Sequence, residues 1–372
     1  MGRGRPEADS PSIDHPTDIP MNASRLSRAL ALALACLSVA TAAHAQVGLR
    51  SLSPTIADPV PGAAADAVSP TVKVPAIVWY PTATSATPQA MGPFRFAAAL
   101  GAPPSDGRFP MVVVSHGTGG SELGHAWLAE GLAREGFVVV SLRHPGDNWE
   151  DRSAVRRPDY FSRRPAQASR VVDAILADPA WAARIDTTRI AVVGHSAGGH
   201  VALALAGGEP SVERVLAHCS SGGAGLREDA AMCGLGGRTG ADAAPAPPAP
   251  MPPPPARTRD ARIRAAVAIA PLAIAFTPES LAKVEVPVMV EVAVRDEVLT
   301  PRFHGDAACA AIPGVRCMRT AAAGHYAAFQ AGTGPLPSPA GDPSVDPAGF
   351  DRVAWQAEAL PRIVGFLKGA LR

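Results

Sequence analysis

The stretch Ile190-Ala191-Val192-Val193-Gly194-His195-Ser196-Ala197-Gly198-Gly199-His200-Val201-Ala202-Leu203-Ala204-Leu205-Ala206 decides how this chain is read. It opens as an apolar strand and closes as a helix of small residues, so the glycine-bracketed serine falls on a strand-to-helix turn. In a chain with 35 glycines a G-x-S-x-G match means little by itself. Its surroundings are more specific, because a buried strand entering and a small-residue helix leaving describe the sharp turn that lifts a serine Oγ above a sheet. Glycines are needed on both sides, where side chains would collide with the neighbouring strand and helix.

Outward from this turn, short apolar runs alternate with amphipathic stretches from residue 74 onward, the pattern of a mostly parallel central sheet covered by helices on both faces. Strands are expected at 76–80, 110–115, 137–142, 190–193, 265–270, 286–294 and 315–320. Helices are expected at 123–135, 166–177, from 199 and at 352–371, the last carrying Val353, Leu360, Ile363, Val364 and Leu367 as its apolar stripe. Between about 207 and 260 the pattern breaks into glycine pairs and a tract, 245–255, in which eight of eleven residues are proline. Proline fixes φ and removes a donor, so this reads as a surface insertion with polyproline II character.

A serine hydroxyl needs a base to become a nucleophile, and turns of this kind take their partners in the chain order serine, acid, histidine. Only His304 and His325 lie beyond the next apolar strand. His304, in Pro301-Arg302-Phe303-His304, reads as a solvated residue at a helix start, whereas His325 follows Gly324 in the loop after the last strand. His325 is therefore the expected base. For the acid, Asp296 and Glu297 both follow the strand 286–294; Asp296, shorter and first in the turn, is preferred, with Glu297 as the alternative and Glu291 placed inside the strand. Acyl transfer also needs amides aimed at a developing oxyanion. These are expected from Ala197 and from Thr118 in the turn His116-Gly117-Thr118-Gly119-Gly120, with His116 structural. The loop 144–165 leaves a central strand and is expected to border the site. Trp149, Tyr160 and Phe161 would anchor it, and a mixed-charge rim would include Asp147 and Arg164.

Composition narrows the class. The 372 residues are 47% hydrophobic and 18% charged, with 34 basic and 33 acidic side chains and a net charge of +1, which describes a globular chain and offers no basic block for nucleic acid. Residues 1–45 read as leader and signal peptide: Arg25 and Arg28 precede an apolar run at 29–40, and Ala43-His44-Ala45 gives a small-residue cleavage pattern. Residues 46–372 then form a single domain with no stable membrane span, exported to the periplasm or secreted. Four cysteines remain, and the short-range pairing Cys219 with Cys233 and Cys309 with Cys317 asks least of the fold. No metal-ligand spacing is found, and no cofactor or metal is expected.

Together these residues resemble the α/β-hydrolase superfamily, and more closely the bacterial predicted dienelactone-hydrolase group related to platelet-activating-factor acetylhydrolases. The landmarks are Trp79-Tyr80-Pro81-Thr82, residues 109–120, Glu135-Gly136-Phe137, His144-Pro145-Gly146-Asp147, the serine turn and Gly324-His325. The resemblance implies an α/β-hydrolase fold and hydrolysis of a small-molecule ester. Dienelactone hydrolases proper carry a cysteine nucleophile, so Ser196 moves the expectation towards ordinary carboxylic esters. In the acetylhydrolases the acid follows the strand after the nucleophile; here that strand ends in Ala270-Pro271-Leu272, which moves the acid one strand on, to Asp296. The expected function is a serine esterase acting through an acyl-enzyme. An acyltransferase or amidase would use the same three residues, and a non-catalytic binding module would keep the fold without the chemistry.

Overall fold

The computed structural model describes residues 1–2, 45–58, 70–235, 258–338 and 341–372. The expected signal segment and the proline tract 245–255 lie outside them. The chain divides at Ala43/His44, and the fold and the site both belong to the unit His44–Arg372.

Among the described residues ten strands make one sheet: β1 (Gln46–Leu52), β4 (Ala76–Thr82), β5 (Thr87–Met91), β6 (Phe94–Leu100), β7 (Phe109–Ser115), β8 (Val138–Leu142), β9 (Ile185–His195), β10 (Ile263–Ile269), β11 (Val288–Ala293) and β12 (Arg316–Thr320). Strands β2 (Thr55–Ala57) and β3 (Thr71–Lys73) pair separately. The order is β12-β11-β10-β9-β7-β8-β4-β1-β6-β5. From β12 to β8 every pairing is parallel; β4 then runs antiparallel to both β8 and β1, and β5 and β6 form an antiparallel hairpin at the edge.

Side chains alternate across the sheet, and this alternation divides the core in two. Met111, Val113, Ile190 and Val192 face one layer with helices α2 (Tyr160–Ala177) and α3 (Ala197–Ala206). Val112, Val114, Ala191 and Val193 face the other with α1 (Ala126–Arg134) and α6 (Arg352–Ala370). Two shorter helices, α4 (Val212–His218) and α5 (Gly305–Ala311), lie in the connections after β9 and β11.

Several expectations need correction. Helix α2 starts at Tyr160 and holds Pro165 inside it. Proline lacks the N–H that would bond Phe161 O, and His200 Nε2 takes that carbonyl instead at 2.7 Å. Strand β9 starts at Ile185, because a register shift lets Ile185 pair with Phe109 before Ile190 pairs with Met111. In α6 Val353 is exposed, and Trp355 and Ala359 complete the buried stripe. The insertion is not without order: α4 and the turns Gly225–Glu228 and Ala230–Gly234 surround a disulfide, Cys219–Cys233. A second disulfide joins Cys309 to Cys317. No described helix is long and apolar enough to cross a membrane.

Candidate active site

Ser196 stands between β9 and α3 with φ +58° and ψ −119°, a backbone conformation that costs a non-glycine residue about 1–3 kcal/mol. Neighbouring backbone holds it there. Its N–H donates to Ile269 O of β10 at 3.0 Å, and its carbonyl accepts from Leu272 N at 2.9 Å. The flanking glycines follow from contact distances: a Cβ on Gly194 would lie 1.9 Å from Gly198 O, and one on Gly198 would lie 1.9 Å from Ser115 O.

His325 begins the turn after β12, and its Nε2 lies 2.9 Å from Ser196 Oγ. Its Nδ1 lies 2.8 Å from Asp296 Oδ2, so the relay is complete when Nδ1–H donates to the carboxylate and Nε2 accepts from the hydroxyl. Asp296, in the turn after β11, is fixed through Oδ1, which accepts from Val298 N at 2.9 Å and Leu299 N at 2.7 Å. Glu297 accepts from the His325 backbone N–H at 3.2 Å and so holds the loop rather than the ring. His195 Nε2–H donates to His325 O at 2.7 Å, so the residue before the serine pins the histidine loop from the other side. Glu291 points away, accepting from Thr320 Oγ1 at 2.6 Å, and burial raises its pKa.

His304 is not solvated. Buried at the start of α5, it accepts from Ala273 N at Nδ1 (3.1 Å), and its Nε2 donates to Asp229 Oδ2 at 2.8 Å. His218 shares that carboxylate oxygen at 2.9 Å. This cluster ties the Cys219–Cys233 segment to the loop after β10.

The turn His116–Gly120 abuts the serine, since a Cβ on Gly117 would lie 3.1 Å from Ser196 Cβ. Among the described residues neither the Thr118 nor the Ala197 amide donates to a protein acceptor. Below the turn lies a buried network that the sequence reading missed. Asp147 Oδ1 accepts from Gly119 N at 2.7 Å, and its Oδ2 accepts from Tyr160 OH at 2.8 Å and from Arg164, which also donates to His116 O. Tyr160 OH lies 2.9 Å from Thr118 Oγ1. Asp147 and Arg164, expected on a polar rim, are instead an ion pair with Arg164 only 2% exposed. The spacing 144–164 in a loop crowded with charge carried no periodicity that would have marked them.

Buried histidines surround the site. Burial, with the Arg164 charge adding to it, lowers the His116 pKa to about 3; burial alone lowers that of His125 to about 4. His144 and His195 are also held well below the ordinary value, first by burial.

Above Ser196 and His325 opens a cavity of about 930 Å³ with a mostly apolar wall that includes Met91, Phe94, Leu123, Phe329 and Leu336. The loop after β8 borders it as expected through Trp149 and Arg152. Tyr160 and Phe161 pack beneath instead, ring against ring at 5.2 Å. A serine, an imidazole and a carboxylate linked in this way, beside free amides and a mostly apolar cavity, can activate a hydroxyl for attack on an acyl carbon.

The Alpha/beta hydrolase family model matches residues 112–334, and the chain belongs to that family. Among curated proteins it is similar to Cutinase 2 of Thermobifida cellulosilytica, 31% identical over 116 residues, which are 31% of this chain and 40% of that protein. It is also similar to the bis(hydroxyethyl) terephthalate hydrolase of Streptomyces coelicolor, 31% identical over 112 residues, 30% of this chain and 33% of that protein. The aligned part thus spans between a third and two-fifths of these relatives. A solved ferulic acid esterase from Streptomyces cinnamoneus shares the fold, with a TM-score of 0.58 and 21% identity over 90% of this chain and 92% of that one.

Proposed function

We propose that the protein is a serine esterase that cleaves small-molecule carboxylic esters through an acyl-enzyme. The observation that carries this reading is the Ser196–His325–Asp296 relay, with links of 2.9 and 2.8 Å, on the floor of the cavity. Ser196 Oγ attacks the acyl carbon as its proton passes to His325 Nε2; Asp296 holds the ring and stabilises the imidazolium. The carbonyl oxygen gains charge between the Thr118 and Ala197 amides. As the ester C–O bond breaks, His325 returns the proton to the departing alcohol, and water repeats the sequence to release the acid. The names of the relatives, cutinase and bis(hydroxyethyl) terephthalate hydrolase, support an ester bond as the target. Kinship with the dienelactone-hydrolase-like group belongs to the same proposal, on its landmarks in the sequence. So does export, which two disulfides support.

The test is hydrolysis of a 4-nitrophenyl short-chain ester together with labelling by a fluorophosphonate. Wild type should turn over and label at Ser196. Ser196→Ala should fold, fail to label and lose nearly all turnover; wild-type-like turnover in that variant would overturn the assignment.

A further inference from the structure

Among the described residues two arginines line the cavity, Arg143 and Arg152, and they differ in what holds them. Arg143 is committed: Nε and Nη2 each donate to Glu122 at 2.7 Å, Nη1 donates to Glu150 at 2.5 Å, and its guanidinium carbon lies 5.6 Å from the Trp149 ring centre. Arg152 has neither a carboxylate partner nor a side-chain hydrogen bond among the described residues. Its guanidinium lies against the turn beside the serine. A methyl group built on Gly119 would meet Arg152 Cζ at 3.3 Å and Nε at 3.4 Å, and Gly119 has φ +69°, so bare backbone receives the cation. Gly119 is two residues from Gly117, which abuts Ser196, a span of at most about 7–8 Å along the chain.

A half-buried guanidinium in a mostly apolar wall lacks the neutralisation that Arg143 has received, and an anion on the ligand would supply it. The planar fork suits a carboxylate through two parallel N–H donors. With Arg143 already neutralised, one lining arginine among the described residues is available, which matches a single negative charge rather than a phosphate dianion.

We infer that Arg152 is a subsite for a carboxylate carried by the substrate, so that the preferred esters are half-esters of dicarboxylic acids or esters of carboxylated alcohols or phenols. The inference rests on the esterase reading and names its substrate class. Specificity here comes from pairing a cation that the protein leaves unpaired.

The experiment compares kcat/KM within two pairs of esters. On the acyl side the pair is mono-4-nitrophenyl glutarate and 4-nitrophenyl pentanoate; on the alcohol side it is 4-carboxyphenyl butyrate and 4-carbamoylphenyl butyrate. In Arg152→Gln the anionic-to-neutral ratio should fall about tenfold or more in one pair, and the pair that falls identifies the side of the scissile bond. Arg152→Lys, which keeps the charge and loses the fork, should fall less. The wild-type ratio in that pair should also drop severalfold from low to high NaCl, a readout that needs no variant to fold. Ratios unchanged by Arg152→Gln in both pairs, or insensitive to salt in wild type, would overturn the subsite while leaving the esterase reading intact. A wild type that hydrolyses none of the four esters would overturn both.

Discussion

Removing the carboxylate of Asp147 should damage the fold and the oxyanion turn together, by an amount the network allows to be estimated. Asp147 accepts from Gly119 N, Tyr160 OH and Arg164, and Arg164 is 2% exposed. Asp147→Asn keeps an oxygen for the Gly119 amide but leaves the Arg164 cation buried without a counter-charge, a loss of about 3–5 kcal/mol. Asp147→Ala also orphans the Gly119 N–H and should cost about 1–3 kcal/mol more. At about 2 °C per kcal/mol for a domain of this size, the asparagine variant should melt roughly 6–10 °C below wild type and the alanine variant lower still. Thermal melts by circular dichroism measure this directly. Replacing the buried pair together, as Asp147→Asn with Arg164→Met, should recover part of the loss, because no unpaired charge then remains. The reasoning is refuted if Asp147→Asn melts within a degree of wild type, or if the double variant loses the sum of the single losses.

The geometry sets three further outcomes. Asp296→Asn should lower kcat for a 4-nitrophenyl ester roughly a thousandfold or more, because the amide no longer holds the His325 tautomer, while Glu297→Gln, whose contact is to backbone, should change it less than about tenfold; the reverse ranking would give Glu297 the role. His116, with a pKa near 3, and His125 and His200, near 4, are neutral in the fold and ordinary when unfolded. Their contribution is therefore complete above about pH 6.5 and is lost as pH falls towards 4, by up to about 1.4 kcal/mol per pH unit for each. The melting temperature should drop steeply from pH 7 to pH 5, and a flat profile would contradict the neutral assignment. Trp149, 62% exposed at the cavity wall, should tolerate alanine with a stability change below about 1 kcal/mol while shifting preference along an acetyl-to-octanoyl ester series; an identical series in variant and wild type would remove the loop from acyl recognition.

What the sequence revealed and what it hid differ in physical kind. Gly194, Ser196, Gly198 and the order of Asp296 and His325 were legible because backbone contacts of 1.9 Å and a fixed relay order leave few residue types and positions open. The central strands were legible as continuous apolar runs, being buried on both faces. Strands β1, β5 and β6 were not: β5 is largely exposed, and an edge hairpin needs no apolar run. The pairing of Asp147 with Arg164 was hidden because their charges look like those of a solvated loop until the chain closes over them. His304 was misread for the same reason, since its partner Asp229 lies 75 residues away in sequence. Pro165 concealed the first turn of α2, because the donor that replaces its missing N–H comes from His200 on another helix.

Each disulfide joins cysteines that are consecutive among the four beyond residue 45, at separations of 14 and 8 residues. Were the chain exported as proposed, and its first 45 residues removed, it would present Cys219 and Cys233 to each other before Cys309 arrives and close the first loop before a wrong partner exists. Oxidation in the order of emergence would then give the pairing seen here without reshuffling by an isomerase. Refolding of reduced chain 46–372, which holds four cysteines, loses that order. Recombinant material oxidised all at once would have to sort three pairings, whereas material oxidised during delivery meets one.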